Sequence, residues 1–139
     1  MIRKFLHTRL RVNNMDQHIA FFCGILGLKL LSRNKSPRGS ELAFLQVPGS
    51  EEEIELCHFP GSGRVEVQED LVHLAFEVDD LESFAGYLSS KGVPLTDGPT
   101  PSSGGGRFAF IDAPDRYEIE LIEREKEPIK TEKKDETEP

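Results

Sequence analysis

Residues 72–81 read VHLAFEVDDL, and 66 positions earlier, at 6–15, stands LHTRLRVNNM. The two stretches match His7 to His73, Val12 to Val78, Asn13-Asn14 to Asp79-Asp80, and Met15 to Leu81. Farther along, ELAFLQ (41–46) lines up with RFAFID (107–112) at the same offset, and the triplet IEL at 54–56 returns at 119–121, offset by 65. The interval from His7 to Glu55 is 48 residues, and that from His73 to Glu120 is 47. Self-similarity at a fixed period marks a structural unit used more than once.

Each copy follows one pattern. An alternating strand (6–12; 72–78) ends in paired Asn or Asp, residues that favour turns and helix N-caps. A helical pattern follows, with apolar residues at Met15, Ile19, Phe22 and Leu26, or at Leu81, Phe84 and Leu88. Glycine then closes each helix, at Gly27 and Gly92. Three short strands complete each unit, at 28–32, 41–47 and 53–58 and again at 93–96, 107–112 and 117–123. This predicts an α+β fold of two tandem β-α-β-β-β modules, about 4–60 and 70–123, in one domain over 1–124. Gly61-Ser62-Gly63 reads as the linker between modules, and GPTPSSGGG (98–106) as a loop.

Side chains alternate faces along a strand. Leu6, Leu10 and Val12 therefore share one face of the first strand, and His7, Arg9 and Arg11 the other. Its counterpart places Val72, Leu74, Phe76 and Val78 opposite His73, Ala75 and Glu77. In the last strands Glu55 and Glu120 point away from the aliphatic residues beside them. Each module thus has an apolar face for its helix and a polar face with one histidine and one glutamate. Two such faces curled together form a cup holding two imidazoles and two carboxylates.

A carboxylate is costly to bury without a partner. A divalent transition metal would supply one, and two His with two Glu suit such an ion, with positions left for water or substrate. By ligand type nickel, cobalt, manganese or zinc could bind. His18, beside Gln17, reads as a surface residue; His58 points away from Glu55, and Cys57 shares the face of Glu55.

Composition narrows the classes further. The net charge is −8, and REKEPIKTEKKDETEP (124–139) carries five basic and six acidic residues, so the body holds most of the excess. Such a body binds phosphate backbones poorly, which argues against nucleic acid. Residues 125–139 read as a charged, disordered tail. MIRKFLHTRLRV lacks a signal peptide's apolar run, and no stretch is long enough to span a bilayer. Cys23 and Cys57 form no disulfide framework, which fits a reducing cytoplasm.

These residues resemble the vicinal oxygen chelate superfamily, and within it most closely the lactoylglutathione lyase (glyoxalase I) family, over about residues 4–124. HTRLRV resembles that family's first-strand motif, IEL its second-ligand segment, VHLAFEV its third-ligand strand, and APDRYEIELIE its closing motif. The resemblance implies metal ligands His7, Glu55, His73 and Glu120, and a homodimer with the sites at its interface. It further implies one divalent ion per site, nickel or cobalt before zinc or manganese. The implied reaction isomerises the methylglyoxal–glutathione hemithioacetal to S-lactoylglutathione. Glu120 would be the base, Glu55 the alternate acid–base, and Arg11 a partner for a glutathione carboxylate.

The chain departs from that pattern twice. Phe59 stands where glyoxalases carry an Asn that helps hold glutathione, and Arg116 replaces the glycine of their Pro-Asp-Gly-Tyr turn. VHLAFEVDDL also resembles methylmalonyl-CoA epimerase, although that family tends to carry Gln at the Glu55 position. A small-molecule-binding or resistance protein is the non-enzyme alternative, disfavoured by four intact ligands. An extradiol dioxygenase would want three ligands and a longer chain.

Overall fold

The computed structural model describes residues 1–125, and the tail expected beyond them lies outside the described residues. Two mixed four-stranded sheets, each accompanied by one helix, make up the described residues.

In the first sheet β1 (His7–Arg11) lies parallel to β4 (Glu53–His58), which pairs antiparallel with β3 (Glu41–Gln46), itself antiparallel to β2 (Lys29–Lys35). A parallel neighbour needs a crossover, and the helix after β1 supplies it. Asn14 starts that helix by accepting the Gln17 N–H at 2.9 Å. The first turn, α1 (Met15–Ile19), continues as a π-helical segment over Ala20–Ile25, where Leu26 N–H reaches back to the Phe21 carbonyl at 3.0 Å. Met15, His18, Phe21 and Phe22 are buried, whereas the Ile19 and Leu26 of the expected stripe are only partly so. Leu10, Val12, Ala43, Leu45, Ile54 and Leu56 complete the apolar interior. A fully buried Leu or Phe contributes roughly 1.5–3 kcal/mol over its exposed state, so this layer outweighs any single polar contact described below.

The second sheet runs in the order β5 (His73–Glu77), β8 (Glu118–Glu123), β7 (Arg107–Asp112), β6 (Asp97–Pro101). Its helix, α2 (Leu81–Ser90), is capped by Asp80, which accepts the Ser83 N–H at 3.1 Å, and buries Leu81 and Leu88. Ala109, Ile111, Ile119 and Leu121 are also buried.

One strand lies elsewhere than expected. The sequence places it at 93–96 with a loop over 98–106, but Val93 N–H caps α2 through the Leu88 carbonyl, and the strand forms over Asp97–Pro101. Its position at the sheet edge explains how it tolerates two prolines, since an outward N–H is not needed there. Gly98, at φ +90°, presses on β7 so closely that a Cβ would lie 2.8 Å from the Phe108 carbonyl oxygen.

The chain divides into two compact units, Met1–His73 with Asp112–Glu118, and Leu74–Ile111 with the chain from Ile119. Among the described residues no helix is long and apolar enough to cross a membrane.

Candidate metal centre

In β1 and β4 the parallel register sets Arg9 beside Glu55, with His7 one pleat away on the same face. Glu55 is 3% exposed. Its Oε1 lies 3.5 Å from His7 Nε2. Two donors held about 2 Å from one cation sit roughly 3–3.4 Å from each other, so this nitrogen and oxygen are close to the spacing of a shared ion. Phe44, the cross-strand neighbour of Glu55 on β3, holds the His7 ring edge-on at a centroid distance of 5.4 Å. The imidazole is thus oriented by packing.

Glu55 has a second partner. Arg9 grips it with both arms of its fork, Nε to Oε1 at 2.7 Å and Nη2 to Oε2 at 3.2 Å. That bond to Glu55 outweighs partial burial and holds the guanidinium more firmly protonated than usual. The sequence places Arg9 on the polar face but gives it no role. Its alternation with His7 and Arg11 is the only signal that could have marked it.

His73 and Glu120 stand on the neighbouring strands β5 and β8 of the second sheet. His73 is exposed and Glu120 only partly buried, so the two IEL glutamates differ in burial. Among the described residues no three His, Cys, Asp or Glu side chains come together at metal-binding distance within one chain. Of the four expected ligands, the structure brings His7 and Glu55 together as a contacting pair.

Arg11 donates from Nη2 to the Gly63 carbonyl at 2.9 Å, while its Nε is buried with no partner among the described residues. It lines a cavity of about 380 Å³ with Arg9, Arg64, Glu66, Leu71 and Tyr117. Cys57, beside Arg11 in the register, is buried. His58 turns away and meets the Val12 carbonyl at 3.1 Å.

The family model described as Glyoxalase/Bleomycin resistance protein/Dioxygenase superfamily matches residues 4–121. The chain belongs to this superfamily. Among curated relatives, a probable lactoylglutathione lyase of Synechocystis sp. is 37% identical over 123 residues, covering 85% of this chain and 93% of the relative. Glyoxalase I from Zea mays superposes with a TM-score of 0.76 at 32% identity, over 90% of this chain and 46% of the maize chain. The chain therefore spans about half the length of the maize protein but nearly all of the Synechocystis one. These relatives support a glyoxalase I-type lyase. An antibiotic-binding protein from Streptomyces sp. CB03234 has a TM-score of 0.73 at 22% identity, over 88% of this chain and 97% of its own, a likeness of fold alone.

In this superfamily member the Ala-Pro-Asp-Arg-Tyr turn carries a buried polar network. Asp115 accepts the backbone N–H of Asn13 at 2.9 Å, the Asn13 side-chain amide at 2.8 Å and His18 Nε2 at 2.8 Å. Asn13 also clasps Val65 through both its N–H and its carbonyl, at 2.7 and 3.1 Å. Tyr117 donates its hydroxyl to the Arg11 carbonyl at 2.6 Å. The surface position expected for His18 is wrong: it is fully buried, between the rings of Phe22 and Tyr117. Burial pushes its pKa down, against the pull of Asp115. For Asp115 burial acts upward, but the Asn13 and His18 bonds outweigh it and the carboxyl titrates below its ordinary value.

Proposed function

We propose that this chain is a metal-dependent lactoylglutathione lyase. It would isomerise the methylglyoxal–glutathione hemithioacetal to S-lactoylglutathione by moving a proton between adjacent carbons. One observation carries the reading: a buried glutamate and an imidazole converge at 3.5 Å on adjacent strands, in a chain 37% identical to a probable lactoylglutathione lyase.

The donor set fits a divalent ion, nickel or cobalt before zinc or manganese, held by His7, Glu55, His73 and Glu120. Such an ion would supply Lewis acidity toward the substrate oxygens. In the homodimer that the glyoxalase resemblance implies, His7 and Glu55 of one copy would pair with His73 and Glu120 of its partner. Glu120, the less buried glutamate, takes the proton from carbon and returns it to the neighbouring carbon, with Glu55 as the alternate acid–base. Arg11 offers an anionic group a buried, unpartnered Nε on a cavity wall that also carries Arg9 and Arg64. That suits a glutathione carboxylate.

The test is thioester formation from methylglyoxal and glutathione, followed in the ultraviolet, with nickel, cobalt or zinc supplied. Glu120→Gln is expected to lower kcat by about 10²- to 10⁴-fold with the fold intact. Phe59 favours a second reading. Its ring lies over Gly61 and offers apolar surface where the glyoxalases usually carry an amide. No turnover with any of the three metals would move the assignment to an epimerase-like reaction on another acyl substrate or to small-molecule binding.

A further inference from the structure

The two oxygens of Glu55 are already claimed. Arg9 Nε holds Oε1 at 2.7 Å and Arg9 Nη2 holds Oε2 at 3.2 Å, while His7 Nε2 stands farther off at 3.5 Å. The carboxylate side chain is 5% exposed, so water contributes little to satisfying it. A guanidinium and a divalent ion draw on the same two oxygens, and two cations at one carboxylate repel each other in a site with little solvent. We propose that Arg9 is a built-in competitor of the metal, a counter-cation for Glu55 that a divalent ion must displace.

This rests on the reading of His7 and Glu55 as metal ligands. It adds that the strength of metal binding is set by a residue that is not a ligand. The competition follows from position. Arg9 and Glu55 are direct neighbours in the parallel β1–β4 register, so the fork needs no backbone movement to reach both oxygens. Displacement is equally feasible. The Arg9 side chain is 52% exposed and already lines the cavity beside β1, so its head can move into solvent without leaving a hole. Arg11 and Arg64 share that wall, and a released Arg9 joins them as a third cation facing the cavity.

Competition has a signature that a packing role lacks. An arginine that only supported the fold would, on removal, weaken metal binding and stability together. A competitor moves them in opposite directions, because the interaction lost with the carboxylate is the one the ion had to break. Arg9→Met keeps most of the stem without charge, and Arg9→Lys keeps the charge without the fork.

The experiment titrates nickel(II) and, separately, cobalt(II) by calorimetry into chelator-stripped full-length protein, and follows thermal unfolding of the stripped chains. Arg9→Met is expected to bind the ion about tenfold more tightly than the unsubstituted chain and to unfold at lower temperature when stripped. Arg9→Lys should fall between them in both respects, and it carries the test if Arg9→Met does not fold. Unchanged or weaker binding in the substituted chains, with the unsubstituted chain binding normally, overturns the competition and leaves the metal reading standing. If none of the chains, substituted or not, binds either ion, the assignment of His7 and Glu55 as ligands fails and takes the competition with it.

Discussion

Arg116 has a φ of +67°, in the left-handed region that costs a non-glycine residue on the order of 1 kcal/mol or more. Its neighbour Asp115, at φ +63°, bears a similar strain, but its carboxylate takes three hydrogen bonds in return. Arg116 is exposed, and it occupies the position where the resembling motif has glycine. Arg116→Gly should therefore raise the unfolding free energy by about 0.5–1 kcal/mol, less than the full strain because glycine also frees the unfolded chain. Urea denaturation should show a higher midpoint at unchanged slope, and a lower midpoint would mean that the arginine side chain contributes more than its backbone costs. Asp115→Gly relieves the same kind of strain yet should destabilise, because it strips acceptors from Asn13 and from buried His18.

Among the elements, the helix after β1 and the turn at Asp112–Glu118 are tied by His18 and Asp115, residues 97 positions apart. That tie makes the first unit acid-sensitive. His18 Nδ1 is buried without a partner among the described residues, so protonation would create an unsatisfied N–H there. The folded imidazole thus titrates below its ordinary 6.5, whereas the unfolded one gains a proton as the pH drops past that value. The stability this neutral histidine contributes is complete above pH 6.5 and is lost on acidification. Asp115, depressed below 3.8, adds a second loss below that pH. Denaturant midpoints should fall from pH 7 to pH 5, and His18→Gln, which can still donate to Asp115 but does not titrate there, should flatten that segment. An equal slope in both chains would place the acid sensitivity elsewhere. None of this was legible in the sequence: Met15, His18 and Phe22 keep ordinary helical spacing, but periodicity alone does not say that polar His18 rather than apolar Ile19 faces inward, and its partner Asp115 lies 97 positions away. Local periodicity did suffice where strands carry their own pattern, and Glu53–His58 forms as expected. It failed at Asp97–Pro101, where a glycine- and proline-rich segment becomes a strand because β7 offers it hydrogen bonds.

At the scale of the whole molecule, the repeat at offsets of 66 and 65 residues was the strongest signal in the sequence, and it carried the fold and, in the first module, the meeting of His7 with Glu55. What a repeat cannot state is how many copies of the chain make one site. The proposed centre draws on His7 and Glu55 of one copy and on His73 and Glu120 of another. In a symmetric dimer each copy then contributes to both centres. A chain with His7→Ala and a chain with His73→Ala should each be inactive alone. When they are unfolded together and refolded, a mixed dimer collects both lesions in one centre and leaves the other intact. Half of the dimers formed at random are mixed, so activity should return to about a quarter of the unsubstituted level, with about one bound ion per intact centre. If each chain instead built its own centre, every centre in the mixture would still lack one histidine, and refolding would restore nothing.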